Sequence, residues 1–350
     1  MTAVAIAIAA AAGVHAVLEP VASHLESERG AYLWHAEEWL QLFTPARYEG
    51  RGRGRLLVYG PSETREALIP SRMEDALPGL GCLQNAQSMG TLEDGLVLLE
   101  YIEREFGDDA LPSAVVLALS PRFVANIRTE RSPLLQAIDR YAPHLKVADV
   151  ARRPRLEPKR WHETLRSLYA HRKRQQRRYQ ATFVALAREI LEAAGSDLAD
   201  DPRLASTLSP AKYTGLPPYP EAETRAWLAH PESFWARVHA WDPDADRERI
   251  LRELAEWRER CRAYGADLYV VNMPEVSWNR DLYPPGRSER YLAIVREALG
   301  DTPFLDLRTF LPDEEYFDSC HPIWEGCVKV SDAVGAFVAR ERATRGSSKR

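Results

Sequence analysis

The pattern of hydrophobic positions changes near Leu56. Beyond this residue, short runs of β-forming residues alternate with segments in which apolar residues recur every three or four positions. The pattern predicts strands at 56–59, 114–119, 267–272 and 303–307, and helices after Ser62 and at 91–106, 247–264, 287–299 and 328–342. This alternation is typical of an α/β domain, a doubly wound, mostly parallel sheet with helices on both faces.

A helical insertion divides the predicted domain. The strand–helix pattern covers 56–150 and returns at 246–342, whereas the segment 151–245 is helical and interrupted by prolines. Residues 343–350 are predicted to be a disordered tail. Residues 19–55 are predicted to be a linker, because they end in alternating Gly and Arg, which supply no apolar face for a helix.

The N-terminal segment 1–18 is apolar and lacks Asp, Glu, Lys and Arg. It is short and Ala-rich for a spanning helix, and the basic start of a secretory signal is absent. An Ala-rich core helix remains the alternative. We expect an anchor or signal-like segment, and therefore an extracytoplasmic protein that is attached to the membrane by its N-terminus.

Composition and charge exclude several classes of protein. With 45% hydrophobic and 28% charged residues, the chain resembles a soluble globular protein, and its net charge of −5 argues against a generally basic nucleic-acid binder. Residues 151–180 nevertheless contain 11 Lys and Arg against two Asp and Glu. This basic stretch is either a solvated face or a contact with anionic lipid or polymer.

The four cysteines do not form a recognisable metal or redox motif. Cys82, Cys261, Cys320 and Cys327 contain no Cys-x-x-Cys pair, which argues against zinc and thioredoxin-type sites. Cys320 and Cys327 are close enough in sequence for a disulfide, but separation alone does not establish the geometry. Free thiols are the default expectation, and we predict neither a metal nor an organic cofactor.

Ser62 is the first candidate for chemistry. It follows the first predicted strand in the segment Gly60-Pro61-Ser62-Glu63, at a turn into a helix. Open α/β sheets place their sites at the carboxyl ends of strands, and a helix N-terminus can stabilise an oxyanion. A simple helix cap is the alternative.

Asp318 and His321 form the second candidate, just before the last predicted helix. In Asp-x-x-His the carboxylate can orient the imidazole, whose other nitrogen then faces a nucleophile, although a solvated pair is the alternative. The combination is more informative than either part. Ser62 after the first strand and Asp-x-x-His before the last helix occupy positions at which each completes a triad with the other.

These segments resemble the SGNH (GDSL-type) hydrolase superfamily, whose fold is a flavodoxin-like three-layer α/β/α domain. Gly90, at the end of 83–90, matches the glycine that lends a backbone N–H to the oxyanion hole in that family. The segments 60–63 and 318–326 are most similar to the membrane-anchored, exported subset typified by the D-alanyl–lipoteichoic acid transfer protein. The resemblance implies that Ser62 is the nucleophile, His321 the base and Asp318 its orienting partner, with the N–H groups of Ser62 and Gly90 as oxyanion donors.

The sequence departs from the family pattern at two places. Pro61 stands where many relatives have Asp or Ser, and the Gly-x-Asn-Asp block is absent. Leu119-Ser120-Pro121-Arg122 follows the strand instead, and the nearby Asn126 is more typical of a loop. Loss of one oxyanion donor costs about 10²–10³ in turnover.

The resulting hypothesis is a serine esterase or O-acyltransferase that acts on acyl esters, including acetyl, of a cell-surface polysaccharide or other polymer. The resemblance implies a membrane O-acyltransferase as a partner. The apolar N-terminus predicts membrane contact, and the net charge argues against nucleic acid as a partner. Two alternatives remain open. One is a catalytically impaired protein of the same fold that binds polymer during export, and the other is a cytoplasmic hydrolase of small esters.

Overall fold

The computed structural model describes residues 54–86, 90–126, 221–230 and 233–348. In these ranges five strands form one sheet, and every pair of neighbours is parallel. Their order across the sheet is β2-β1-β3-β4-β5. The strands are β1 (Gly54–Tyr59), β2 (Leu80–Gln84), β3 (Ala114–Leu119), β4 (Asp267–Asn272) and β5 (Phe304–Asp306). The prediction of an α/β fold with a parallel sheet is confirmed.

The helices of the described ranges connect and cover these strands. They are α1 (Ser62–Ala67), α2 (Pro70–Ala76), α3 (Leu92–Phe106), α4 (Pro121–Ala125), α5 (Glu221–Ala229), α6 (Phe234–Ala240), α7 (Arg247–Ala263), α8 (Ser277–Arg280), α9 (Arg287–Leu299) and α10 (Trp324–Ser348). Short 3₁₀ turns lie at Asp108–Ala110 and Asp313–Glu315.

Side-chain alternation along the strands divides the core into two halves. In β1, Leu57 and Tyr59 face one side with α3, α7 and α9, whereas Leu56 and Val58 face the other with α2, α6 and α10. Every residue of β3 is buried. A parallel sheet that is covered on both faces needs such continuous apolar strands, which is why 114–119 carries no polar residue.

Two of the long helices show how local sequence sets their position. Thr91 accepts a hydrogen bond from the Asp94 backbone, and the Asp94 side chain accepts one from Thr91 N, so that a capping box begins α3. In α7 the buried residues Ile250, Leu254, Trp257 and Cys261 recur every three or four positions. This stripe packs α7 against the sheet and leaves its many charged residues toward solvent.

The structure differs from the predicted elements at several boundaries. β1 begins at Gly54, two residues inside the predicted linker, because Gly54 and Arg55 pair with β2. β5 is limited to Phe304–Asp306. The strand β2 was not predicted, since its sequence, LGCLQ, mixes glycine and polar residues as an edge strand can.

The last helix is longer than predicted. α10 begins at Trp324 and continues to Ser348, into the segment 343–350 for which the sequence predicts a disordered tail. Arg345 explains part of the extension, because it forms an ion pair with Asp267 at 3.3 Å and lies over the Tyr269 ring. These contacts hold the end of the helix against β4.

Several predictions concern segments outside the described residues. These are the apolar segment 1–18, the linker up to residue 53, the end of the first part of the predicted domain at 127–150, and the insertion from 151 to 220, including its basic stretch. The end of the predicted insertion is described, and there α5 and α6 contribute Leu228, Trp235 and Val238 to the core. Among the helices of the described ranges, none combines the length and apolar character needed to span a membrane.

Gly95 in α3 provides a test of the core packing. A Cβ atom built there would lie 2.6 Å from Tyr59 Cδ1 and would also overlap Trp257. Helix propensity alone would make Gly95→Ala stabilising by about 1 kcal/mol. We expect overpacking to dominate and to lower the free energy of unfolding by about 1–3 kcal/mol, measured by urea denaturation.

Gly81→Ala is the matched control, because a Cβ atom there meets only the end of the Glu74 side chain, at 4.0 Å. This variant should unfold within about 0.5 kcal/mol of the wild type. A Gly95→Ala protein as stable as wild type would contradict the close approach of α3 to Tyr59.

Candidate active site

Ser62 is positioned by the turn that follows β1. Gly60 makes this turn, and a Cβ atom there would lie 2.8 Å from Ala118 O and would overlap Thr64, so only glycine fits between β1 and β3. The carbonyl of Pro61 then accepts hydrogen bonds from Thr64 N and Arg65 N. These bonds form the first turn of α1, with Ser62 as its first residue and 6% exposed.

A closed turn positions Asp318 and His321. Phe317 N donates to His321 O at 2.8 Å, and Tyr316 forms an isolated bridge with Pro322. Inside this turn, Asp318 Oδ1 accepts hydrogen bonds from Cys320 N and His321 N, both at 2.9 Å. The carboxylate is therefore fixed by the backbone of the same turn that carries the imidazole.

The three candidate residues meet in one relay. Asp318 Oδ2 lies 2.7 Å from His321 Nδ1, and His321 Nε2 lies 3.1 Å from Ser62 Oγ. Both distances are those of hydrogen bonds. The structure thus joins residues that are 259 positions apart in sequence, and it does so in the arrangement by which a base removes a proton from a serine.

Electrostatics distinguish the two ends of the relay. Burial alone would lower the pKa of His321, but the adjacent Asp318 carboxylate outweighs it and raises this pKa well above the usual value. Burial would likewise raise the pKa of Asp318, but the imidazole and the two backbone N–H donors reverse the effect and lower it. Asp318 is accordingly the charged partner that stabilises an imidazolium.

Cys320 lies beside this relay without taking part in it. Its Sγ is 3.8 Å from His321 Nδ1, and burial raises the pKa of its thiol to about 11. The cysteines are free, as expected, and Cys327 donates instead to Glu66 O at 3.0 Å. Among the described residues, Asp318, Cys320 and His321 form a group with potential metal-ligand spacing. A metal there would displace the Asp318–His321 hydrogen bond and would require an ionised thiol.

Three residues that the sequence analysis did not assign complete the surroundings of Ser62. Arg122 Nη2 donates to Ser62 Oγ at 2.7 Å and forms an ion pair with Glu63. Glu63 also accepts from Ser120 Oγ at 3.1 Å and lies within hydrogen-bond distance of Ser62 Oγ at 3.2 Å. The nucleophile candidate is therefore in contact with a base, a cation and a carboxylate.

A sequence signal for these residues exists. Ser120-Pro121-Arg122 follows β3 as Gly60-Pro61-Ser62 follows β1, and neighbouring parallel strands end at the same edge of the sheet. Polar residues directly after both strands should therefore meet. Glu63 had a weaker signal, because an acidic residue in the first turn of a helix is common without any function.

Two further residues from the sequence analysis remain. Asn126 ends α4 in a left-handed conformation, with φ 51°, which asparagine tolerates at a helix C-terminus. Gly90 is buried and directly precedes Thr91, whose carbonyl accepts from Tyr59 Oη at 3.1 Å. The backbone next to Gly90 thus lies beside the Tyr59 hydroxyl, and the role of Gly90 as an oxyanion donor stays a prediction.

Comparison with known proteins does not add to this geometry. No protein-family model matches the chain, and no curated protein sequence matches it. The basis for a functional proposal is therefore the arrangement of Ser62, His321, Asp318 and their neighbours.

The relay predicts how His321 titrates. Its pKa, measured by NMR of the imidazole in ¹⁵N-histidine-labelled protein, should lie above the ordinary value of about 6.5. In Asp318→Asn the charge that favours the imidazolium is lost while the burial remains, so the pKa should fall below its wild-type value. An unchanged pKa in this variant would show that Asp318 does not control His321.

Proposed function

We propose that the protein is a serine-dependent acyl-ester hydrolase or O-acyltransferase. The observation that carries the proposal is the continuous hydrogen-bonded relay from Asp318 through His321 to Ser62 Oγ. A solvated Asp–His pair or a helix-capping serine would not need this arrangement. The N-cap of α1 is Pro61, and Ser62 is the first residue inside the helix, so Ser62 does not occupy the capping position.

The first half-reaction acylates Ser62. His321 Nε2 takes the hydroxyl proton while Oγ attacks the ester carbonyl, and the carbonyl π pair moves onto oxygen. The imidazolium that forms is stabilised by Asp318. Collapse of the tetrahedral adduct breaks the bond to the alcohol, which leaves with the proton from His321, and the acyl group remains on Ser62.

The second half-reaction repeats these steps with a new nucleophile. His321 removes a proton from water in a hydrolase, or from an acceptor hydroxyl in a transferase, and the resulting adduct expels Ser62 Oγ, which regains its proton. Ser62 N–H supports both adducts, since the first N–H groups of a helix have no acceptor within the helix. Gly90 N–H is the second donor that we propose.

An SGNH-type assignment is supported by the order and place of the residues. The nucleophile candidate follows the first strand of a sheet ordered 2-1-3-4-5, which is the flavodoxin-like order, and Asp-x-x-His directly precedes the last helix. The resemblance of the sequence to the SGNH superfamily rests on residues at these same positions. The absent Gly-x-Asn-Asp block remains the main departure.

The substrate and location follow from the sequence resemblance rather than from the site. We propose acyl esters of a surface polysaccharide or other polymer as the substrate, with a membrane O-acyltransferase as a partner. The apolar segment 1–18 would hold the protein at the outer face of the membrane. A cytoplasmic hydrolase of small esters would instead be found in the soluble fraction when the intact chain is fractionated.

A polymer-binding protein with an inactive site is the second candidate. It is favoured by the contact of Ser62 Oγ with Glu63, because this carboxylate competes with His321 Nε2 for the one hydroxyl hydrogen. In that protein, Ser62→Ala would bind polymer as wild type does, and neither form would turn over an ester.

Labelling with a fluorophosphonate probe tests the nucleophile. We expect wild type to be labelled and Ser62→Ala and His321→Ala to be unlabelled, because the first variant lacks the nucleophile and the second lacks its base. Intact-mass spectrometry and peptide mapping should place the adduct on Ser62. Ser319→Ala is the matched control, as it alters a buried serine on the same turn as His321 and should label normally.

The pH dependence of ester hydrolysis tests the base. Only neutral His321 can accept a proton, so kcat/KM for p-nitrophenyl acetate should rise with pH through the raised pKa of His321. In Asp318→Asn the rising part of the plot of kcat/KM against pH should move to lower pH, and the plateau of kcat/KM at high pH should fall by about 10⁴-fold. If the rising part keeps its wild-type position in this variant, the base is another residue.

A further inference from the structure

We propose that Arg122 is a catalytic residue: its guanidinium group donates to the oxyanion of the tetrahedral adduct, a role for which the sequence offers no asparagine. This inference rests on the proposed acyl chemistry at Ser62 and adds a residue that the resemblance does not supply. It also assigns a function to the segment after β3, which has Ser120-Pro121-Arg122 where the superfamily has its Gly-x-Asn-Asp block.

The position of Arg122 is set by the fold. β3 pairs with β1 through Tyr59 and Leu117, so the residues after these two strands lie side by side. Ser120 is the N-cap of α4, and its Oγ accepts from Phe123 N at 3.3 Å. This cap fixes the first turn, from which Arg122 reaches Ser62.

The guanidinium group is held on two sides. Glu63 forms the ion pair at Nη2, and the Arg122 guanidinium carbon lies 5.4 Å from the centre of the Trp235 ring. Trp235 is itself buried and stacks on His239. An arginine between a carboxylate and an aromatic face has little rotational freedom, and a preorganised donor needs no reorientation as charge develops.

Arg122 remains protonated in spite of its burial. Burial alone would lower the pKa of this group, but the Glu63 carboxylate outweighs the burial and raises the pKa above its usual value. The side chain is 12% exposed, so water screens it only in part. A permanent cation therefore lies in contact with the atom that reacts.

The contact with Ser62 Oγ is suited to the reaction. Arg122 Nη2 is 2.7 Å from Oγ before attack. In the adduct, Oγ and the oxyanion are bonded to the same carbon, so a guanidinium that reaches the first oxygen is adjacent to the second. Negative charge moves from Oγ to the carbonyl oxygen as the bond forms, and the guanidinium group is adjacent to both oxygens without being reoriented.

Two other roles for Arg122 make different predictions. As an anchor for an anionic substrate, it would change KM for charged esters and leave kcat for a neutral ester unchanged. As a simple neutralising partner of Glu63, it would become dispensable once Glu63 is uncharged. Neither role requires contact with Ser62 Oγ.

The experiment compares Arg122→Met, Arg122→Gln and the double variant Arg122→Met/Glu63→Gln in the full chain, with p-nitrophenyl acetate and the fluorophosphonate probe. We expect kcat and the labelling rate constant to fall by about 10²–10³-fold in Arg122→Met, with KM within about threefold of wild type. Arg122→Gln retains an N–H donor and should fall less. The double variant should stay slow, although it no longer leaves the Glu63 carboxylate buried without a cation.

Arg260→Met controls for the loss of a partly buried arginine, since Arg260 pairs with Glu100 at 2.5 Å and lies over the Tyr264 ring, between α3 and α7. It should retain wild-type kcat, and circular dichroism and thermal melting should show that each variant is folded. Wild-type kcat in Arg122→Met, with or without a raised KM, would overturn the inference.

Recovery of wild-type kcat in the double variant would also overturn it, because Arg122 would then only neutralise Glu63. A different result separates this inference from the proposed function. If Ser62→Ala and wild type have equal turnover and labelling, the acyl chemistry itself is wrong, and the role of Arg122 fails with it. If Ser62→Ala is inactive but Arg122→Met is not, only the role of Arg122 fails.

Discussion

The parallel pairing of β1 with β3 is the constraint on which the site depends. Leu56 to Tyr59 align with Ala114 to Leu117, so both strands end at the same edge. α1 after β1 packs on one face of the sheet, through Ala67, and α4 after β3 packs on the other, through Phe123. Open α/β sheets place their sites at the carboxyl ends of strands whose connections diverge in this way, and Ser62 and Arg122 meet there.

The relay and the sheet are linked through the last helix. α10 packs on α2 and the sheet through Val330, Val334 and Phe337, and Ser331 Oγ accepts from Ile69 N at 2.9 Å, just after α1. The Asp318–His321 turn directly precedes this helix. Burial of the apolar face of α10 therefore stabilises the position of His321 beside Ser62, although the two residues are 259 positions apart in sequence.

The sequence was sufficient for features that depend on local pattern and insufficient for those that depend on pairing. β3, β4 and α9 were predicted with their observed bounds because apolar runs and helical periodicity are properties of single segments. β2 was missed because its place at the edge is set by its neighbour β1. Ser62, Asp318 and His321 were predicted from their order in the chain, whereas the signal for Arg122 and Glu63 could be used only with the knowledge that β1 and β3 are neighbours.

The charges around Ser62 explain why these two residues come together. Glu63 is 2% exposed, and alone beside the nucleophile its carboxylate would oppose any oxyanion. Arg122 offsets that charge through its ion pair with Glu63. In the proposed mechanism an oxyanion and an imidazolium form together, and we propose that Arg122 stabilises the first and Asp318 the second. The arginine after β3 therefore makes a buried carboxylate beside Ser62 compatible with the proposed acyl transfer.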